Sequence, residues 1–501
     1  MAASRRLLER AMDEANSYAD WREAAISHDK LTGMDQWRTV EKTSLYDFHS
    51  IRQRLDTLRE LRASRDDHGL LFTLNEGIHG NMAGMGKTAL YKRAKFGTKQ
   101  LVEEYVDEIV DALHYLSKLR SNKISFEERL DFFRRADHCF GRSALMLSGG
   151  AVLGHFHVGV VKAMLEEDVL PSVVSGSSAG SLIAGVLGTH STAELHEMFD
   201  PRNLLMEARQ EVSWLGRLMS PTTPNMDVHD VEDTVDRLIP DLTFQEAYEL
   251  TGRKINISVA PAEVHQTSRL LNAITSPNVY IRKAVMASCA VPGIYPPVIL
   301  EAKNKNGRRQ PYLPQRRWVD GSVSEDLPAK RLARLYGVNH YVASQTNPVV
   351  LWFIQDPKEE PTLLSTGLHL GFRTYQEWLR STHWITQRLT KPAPRLQILA
   401  NMFYSVATQT YTGDINIMPR YRTFNPTKLL TPPSEKELMF YIKEGERATF
   451  PKIERLRTAS KISRALDQIL NRYERRALRD AHRISARNAS VPFGERRISA
   501  A

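Results

Sequence analysis

The pattern of apolar and polar positions changes character near residue 141. Before that point, apolar residues recur at helical spacing among many charged ones. One such stripe consists of Leu101, Tyr105, Ile109, Leu113 and Leu116. The pattern predicts an α-helical N-terminal region over residues 1–137, and no set of catalytic residue types is grouped within it.

After residue 141 the chain alternates between two periods. Residues 143–147, 173–175 and 255–259 are short apolar or alternating runs of strand length, and segments of helical period lie between them. Thr243 and Glu246 have the spacing of a capping box, which predicts the start of one of these helices. We therefore predict an α/β catalytic domain over residues 141–347.

The strongest chemical motif is the G-x-S-x-G sequence at residues 176–180, between a predicted strand and a predicted helix. A serine hydroxyl is a poor nucleophile unless a sharp turn exposes it, and small flanking residues let such a turn close. At the N-terminus of the following helix, the dipole would also stabilise developing negative charge. Ser178 is therefore the candidate nucleophile, with Gly176 and Gly180 forming its elbow.

A second glycine-rich turn follows the predicted strand at residues 143–147. Gly149, Gly150 and Ala151 lie between this strand and a helix, where free backbone N–H groups can bind an anion. The spacing does not fit the dinucleotide-binding pattern G-x-G-x-x-G, because the two glycines are adjacent. We interpret the turn as an oxyanion loop, extending from Gly149 to Gly154.

Asp320 closes another short predicted strand, and Gly321 then turns the chain toward a helix that should end near Gly337. In an open α/β sheet, ligands bind at the edge formed by the carboxyl ends of the strands. This position favours Asp320 as a general base for Ser178 without a histidine. An Asp-Gly pair is also ordinary turn chemistry, so the motif alone leaves both interpretations open.

Length, cysteine content and hydropathy limit the class of protein. The chain has 501 residues, 42% of them hydrophobic, which is enough for more than one core. The two cysteines, Cys139 and Cys289, cannot form a disulfide framework, which fits a reducing compartment. We find no signal peptide and no apolar run of membrane-spanning length, and we expect a cytoplasmic protein that is soluble or peripheral to a membrane or lipid surface.

The formal charge of +10 is concentrated at the C-terminal end. Residues 451–501 hold thirteen Lys and Arg residues against five Asp and Glu residues, and so carry eight of the ten net charges. Their apolar residues alternate with arginines, as in an amphipathic helix on anionic lipid or in a solvated helix that closes a domain. No nucleic-acid-binding motif accompanies the charge, so we expect no nucleic-acid partner.

Together these segments resemble the patatin-like phospholipases. The resemblance rests on SGGAVLGHFHVGVVK, GSSAG, AVMASCAVPGIYPPV and DGSVSEDLPAKRL, and it is greatest to the triacylglycerol lipase branch, which has an N-terminal domain of unknown function (DUF3336-like). It implies a three-layer α/β domain with a mainly parallel sheet, a Ser178–Asp320 dyad, and an oxyanion loop at Gly149, Gly150 and Ala151. It also implies hydrolysis of acylglycerol or phospholipid esters, with peripheral contact to a membrane or lipid-droplet surface. The family usually has DGG or DGA where this chain has DGS.

Residues 348–450 would extend the catalytic domain, and residues 451–501 would form the basic helical tail. Six apolar residues of the extension could line an acyl-chain surface or pack as core, namely Trp352, Phe353, Leu363, Leu364, Trp378 and Trp384. The sequence has no H-E-x-x-H motif and no zinc-binding cysteine spacing, so we expect neither a metal nor a cofactor. It does not indicate an oligomeric state.

Three alternatives to a Ser-Asp lipase remain. One is an esterase of the α/β-hydrolase type, with His340, His369 or His383 completing a triad in the order Ser, Asp, His. Another is an acyltransferase that passes the acyl group to an acceptor other than water. The third is a non-enzymatic lipid-surface binding protein that kept a hydrolase fold.

Overall fold

In the computed structural model of the chain, residue contacts define two compact units. Unit 1 contains Met1–Leu31 and Ser143–Glu454, and unit 2 contains Thr32–Arg142 and Arg455–Ala501. The helical region that we predicted over residues 1–137 therefore contributes to both units. The described part of the chain is residues 2–78, 81–119, 123–200, 202–204, 228–263, 267–292, 295–323, 326–347, 413–420 and 434–489.

Helices and strands follow one another in an order close to that predicted. The helices are α1 (Ala2–Glu14), α2 (Tyr18–Thr32), α3 (Met34–Thr39), α4 (Phe48–Ser64), α5 (Asp67–Gly77), α6 (Gln100–Lys118), α7 (Phe126–Phe140), α8 (His155–Glu166), α9 (Ala179–Thr189), α10 (Thr192–Met198), α11 (Val228–Leu238), α12 (Phe244–Thr251), α13 (Ile281–Cys289), α14 (Ala329–Tyr336), α15 (Glu435–Thr449) and α16 (Ile453–Ala489). The strands are β1 (Arg142–Leu147), β2 (Val173–Gly176), β3 (Lys254–Pro261), β4 (Arg269–Leu271), β5 (Glu301–Lys303), β6 (Arg309–Pro311), β7 (Trp318–Asp320), β8 (Val338–Ser344) and β9 (Ile415–Ile417).

Local sequence signals account for several of these boundaries. The predicted capping box is present at the start of α12, where the Thr243 hydroxyl accepts from the Glu246 N–H and the Glu246 carboxylate accepts from the Thr243 N–H. Gly252 and Gly337 end α12 and α14 in the left-handed region that glycine adopts without strain. The predicted starts and ends of these helices are thus confirmed.

Unit 2 has one apolar core, to which α16 contributes a buried face. Phe132 and Phe133 of α7 are fully buried in it, and so are Leu466 and Ile469 of α16. Burial of this kind stabilises each large side chain by about 1.5–3 kcal/mol. As far as Tyr473, the apolar stripe of the basic tail is therefore part of a protein core, as in a helix that closes its domain.

Unit 1 is an α/β unit around a mainly parallel sheet, which confirms the predicted fold class. The strand order is β4-β3-β2-β1-β8-β9, and β1 with β2, β2 with β3, and β8 with β9 are parallel pairs. Helices α9 and α13 pack against β3, and α14 packs against β8. The carboxyl ends of β1 and β2 lead directly into the two glycine-rich turns.

Strand β7, which ends at Asp320, runs antiparallel to β3. Val259 pairs with Arg269 of β4 and also with Asp320, so β7 lies on the opposite side of β3 from β4. Strand β2 pairs with this same side of β3 at the preceding residues, where Gly176 is opposite Ile257. Strands β2 and β7 therefore approach each other end to end along β3. The predicted strand ending at Asp320 is thus present, and its antiparallel register with β3 brings the carboxylate to the end of β2.

Helix α15 packs closely against α8, which follows the oxyanion loop. A Cβ atom on Gly159 would lie 1.8 Å from the Ile442 carbonyl oxygen, and one on Gly445 would lie 2.1 Å from that of Phe156. The two backbones are therefore in direct contact. Lys162 bridges the helices by an ion pair of 3.0 Å to the buried Glu446. Residues well beyond 347 thus belong to the unit that carries the site.

Candidate active site

Ser178 sits in a sharp turn between β2 and α9, as predicted for a nucleophile elbow. Its backbone has φ 50° and ψ −125°, a combination that costs a non-glycine residue about 1–3 kcal/mol. A Cβ atom on Gly176 would lie 2.1 Å from the Gly180 carbonyl oxygen, and one on Gly180 would lie 2.3 Å from that of Leu147. Only glycine fits at either position, because the turn brings the backbones this close.

Hydrogen bonds from neighbouring serines hold this strained turn. The Ser178 N–H donates to Ser288 Oγ at 3.0 Å, and the Ser288 hydroxyl donates to the Ser258 carbonyl of β3 at 2.8 Å. The Ser181 hydroxyl donates to the Ser178 carbonyl at 2.6 Å. Ser288 belongs to the small-residue helix α13, and no motif in the sequence connects this helix with the elbow.

The structure brings Asp320 and Ser178 together. The Ser178 side chain lies beside the carboxyl group of Asp320, which accepts the Ser322 N–H at 2.8 Å. Burial raises the pKa of Asp320 from 3.8 to about 6, against the interactions with Ser322 and Ser178, which lower it. A carboxylate with this pKa can accept a proton near neutral pH.

The glycine-rich loop passes directly beside Ser178. A Cβ atom on Gly149 would lie 3.3 Å from Ser178 Cβ, and one on Gly150 would lie 2.2 Å from Thr346 Oγ1. Ala151 has a positive φ of 47°, which is strained for alanine. The backbone therefore follows a narrow path between the elbow and the segment after β8.

The three predicted oxyanion donors are not equivalent. The Gly149 N–H donates to Asp326 Oδ1 at 2.8 Å and is therefore committed within the protein. The N–H groups of Gly150 and Ala151 have no hydrogen-bond acceptor among the described residues. Two of the three amides thus remain able to bind an oxyanion, and the first one anchors the loop.

A buried polar network supports the loop from below. His157 is fully buried, and its ring nitrogens contact Ser344 Oγ at 2.7 Å and the Ser148 carbonyl at 2.9 Å. Burial lowers the pKa of His157 to about 4, so the ring is neutral at physiological pH. The Thr346 N–H donates to Ser148 Oγ at 2.8 Å. His157 thus supports the loop, and Ser344 and Thr346, which carry no motif that identifies them, hold it in place.

The structure also separates His340 from Ser178. His340 Nδ1 contacts Ser143 Oγ at 2.9 Å, near the amino end of β1, whereas Ser178 follows the carboxyl end of the neighbouring parallel strand β2. His340 therefore cannot complete a triad with Ser178. His369, His383 and the six apolar residues from Trp352 to Trp384 lie outside the described residues.

Among the residues that the structure describes, no group of three or more His, Cys, Asp and Glu side chains is placed to hold a metal ion. In the same residues, no helix combines the length and apolar character needed to span a bilayer.

Two family models match the chain. Residues 1–138 match a domain of unknown function (DUF3336), and residues 145–333 match the patatin-like phospholipase model. Of the solved structures, VipD from Legionella pneumophila covers 63% of this chain and 67% of its own, with 13% identity and a TM-score of 0.30. This structural likeness is too low to support an argument.

Curated relatives extend over most of the sequence. Triacylglycerol lipase ptl2 of Schizosaccharomyces pombe is 31% identical over 92% of this chain and 75% of its own length. Triacylglycerol lipase SDP1L of Arabidopsis thaliana is 32% identical over 98% of this chain and 62% of its own. A patatin-like phospholipase domain-containing protein of Cryptococcus neoformans is 33% identical, and the chain spans 54% of its length. The chain thus covers about half to three quarters of these relatives, and by these matches it belongs to the patatin-like phospholipase family.

Proposed function

We propose that the chain is a serine lipid acyl hydrolase that cleaves acylglycerol or phospholipid esters through a Ser178–Asp320 dyad. The observation that carries the proposal is the placement of the buried Asp320 carboxyl group beside the Ser178 side chain at a G-x-S-x-G elbow. Family membership and the names of the fission yeast and Arabidopsis relatives, both triacylglycerol lipases, support acylglycerols as the substrate class.

The reaction would begin with proton transfer from Ser178 to Asp320. The serine oxygen attacks the acyl carbonyl carbon, and the carbonyl oxygen becomes an oxyanion bound by the N–H groups of Gly150 and Ala151. Asp320 then returns the proton to the departing alcohol as the ester bond breaks, leaving an acyl-serine. Water, deprotonated by Asp320, attacks this ester, releases the fatty acid and restores the hydroxyl of Ser178.

Two features suit the site to this chemistry. The strained backbone of Ser178 and the helix dipole of α9 favour an exposed, charged oxygen at this position. Removal of one oxyanion donor typically lowers turnover by about 10²–10³-fold, so the path of the loop beside the elbow matters as much as the dyad. Because acylglycerols and phospholipids gather into surfaces, the protein would act in peripheral contact with a membrane or lipid droplet.

Hydrolysis assays of three matched proteins test the proposal. Wild type, Ser178→Ala and Asp320→Asn would be compared on a soluble p-nitrophenyl acyl ester and on emulsified triacylglycerol and phospholipid. We expect both variants to lose activity by about 10³-fold or more while retaining the circular dichroism of wild type. Full activity in folded Ser178→Ala would overturn Ser178 as the nucleophile and with it the dyad, and glycerides acylated without net fatty-acid release would favour an acyltransferase.

A further inference from the structure

A second buried carboxyl group lies within the same site. Asp326 has no exposed surface and lies six residues after Asp320, between the turn at Gly321 and helix α14. Burial raises its pKa to about 7, against hydrogen bonds from Ser177 and Gly149, and the charge of Asp320 raises it further. The proposed mechanism gives this group no step, although it is costly to bury.

One oxygen atom of Asp326 joins the two parts of the site. Its Oδ1 accepts the Gly149 N–H at 2.8 Å and also accepts a short hydrogen bond from the Ser177 hydroxyl. Gly149 begins the loop whose next two N–H groups are the proposed oxyanion donors. Ser177 directly precedes the proposed nucleophile, and its own N–H donates to the Leu147 carbonyl at 3.2 Å.

We propose that Asp326 is a positioning residue that sets the distance between the oxyanion loop and the nucleophile elbow. This inference rests on the proposed function. The loop donors must lie about 2.7–3.1 Å from the oxyanion, and a misplacement of about 1 Å costs on the order of 10²-fold in rate. A single acceptor bonded to both segments fixes their separation more tightly than apolar packing would, because hydrogen bonds restrict direction as well as distance.

The loop has a second, independent attachment. The segment after β8 holds it through the bond from the Thr346 N–H to Ser148 Oγ, which does not involve Asp326. Replacement of Asp326 should therefore loosen the loop on one side without unfolding unit 1. This asymmetry makes a kinetic test feasible, since the altered protein keeps its fold.

Three variants separate the effects of the carboxyl group. Asp326→Ala removes the acceptor for both bonds, and we expect kcat on a soluble p-nitrophenyl ester to fall by about 10²-fold with KM within about threefold. Asp326→Asn keeps an oxygen at the same place, and its kcat should recover to within about tenfold of wild type. Ser177→Ala removes one bond only, and kcat should fall by about tenfold. If Asp326→Ala does not fold, Ser177→Ala provides the test.

Two further measurements distinguish positioning from general stabilisation. The Ki of a trifluoromethyl ketone, which forms a tetrahedral adduct with a serine, should rise in proportion to the loss of kcat/KM. Tyr336→Phe is the control, because it removes a buried 3.1 Å hydrogen bond to Asn256 that involves neither the loop nor Asp326, and it should leave kcat and Ki unchanged. Wild-type kcat and Ki in folded Asp326→Ala, measured well below its unfolding temperature, would overturn the inference.

The pH profile and Ser178→Ala separate this inference from the proposed function. In Asp326→Asn the acid limb should stay near pH 6, where Asp320 titrates. Loss of that limb would make Asp326 the base and reject a positioning role. If Ser178→Ala keeps full activity, both proposals fail. If it is inactive while Asp326→Ala and Ser177→Ala behave as wild type, only the inference about Asp326 fails.

Discussion

The Ser178 side chain lies beside the carboxyl group of Asp320, which is only 2% exposed. Burial disfavours the charged form of this carboxyl group, while the interactions with Ser178 and Ser322 favour it. The balance raises its pKa to about 6, far above the 3.8 of a solvated aspartate. Ser178 is therefore next to a carboxyl group whose pKa is close to physiological pH.

The rate of ester hydrolysis should consequently fall below about pH 6. Asp320 must be ionised to accept the proton of Ser178, so kcat/KM should rise as pH increases through about 6 and then level off. A pH profile with a soluble ester, whose own protonation does not change, measures this limb. An acid limb near pH 4 would mean that Asp320 is solvated in the working enzyme. As a control, the residual activity of Asp320→Asn should show no acid limb near pH 6.

The same raised pKa predicts that Asp320→Asn stabilises the fold at neutral pH. The folded state binds the Asp320 proton more tightly than the unfolded state, so this carboxyl group destabilises the fold as pH rises from about 4 through 6. A shift of that size corresponds to about 3 kcal/mol. Urea unfolding should show Asp320→Asn to be more stable than wild type at pH 8 and similar to it at pH 4. A lower stability of the variant at pH 8 would contradict the buried, charged carboxylate.

The parts of the site that are formed by residues close together in the chain could be predicted from the sequence. The elbow at Ser178 and the loop at Gly150 each lie within a few residues of a strand and a helix. The small residues that such tight turns require can be recognised in the sequence. The role of Asp320 could be suggested by its motif, but its position depends on strand β7 pairing antiparallel with β3 beyond the end of β2. No local pattern specifies that pairing.

Residues that act across the fold could not be found this way. Ser288 reaches the elbow from α13, and Asp326 reaches both Gly149 and Ser177 from the segment before α14. Serine in a small-residue helix and aspartate two residues before a proline are both common, so neither stands out in the sequence. The sequence likewise does not tell whether the tail's apolar face packs on protein or on lipid, since an amphipathic helix has the same pattern in both situations.

Replacement of Ser288 tests the support of the elbow. Ser288→Ala removes the acceptor of the Ser178 N–H and the donor to Ser258, while the strained φ of Ser178 remains. We expect stability to fall by about 1–2 kcal/mol and kcat by about tenfold, because the nucleophile is held less firmly. Stopped-flow acylation and urea unfolding measure the two effects.

The matched control is another buried hydroxyl that lies far from the chemistry in sequence and belongs to unit 2. Ser460→Ala removes a 2.7 Å bond to the Leu456 carbonyl within α16. Its stability should change by a similar amount while kcat stays at the wild-type value. Equal kcat values for the two variants would mean that Ser288 contributes to folding alone.

The tail helix offers a test of whether its apolar residues serve the fold or a lipid surface. Leu466 is fully buried in the core of unit 2, and Leu466→Ala should lower the free energy of unfolding by about 2–5 kcal/mol. Gln468→Ala, at an exposed position of the same helix, should change it by less than about 0.5 kcal/mol. Flotation with anionic vesicles, at a temperature where both variants are folded, should be the same for both. Weaker flotation of Leu466→Ala with unchanged stability would place this side chain on the lipid and contradict its burial.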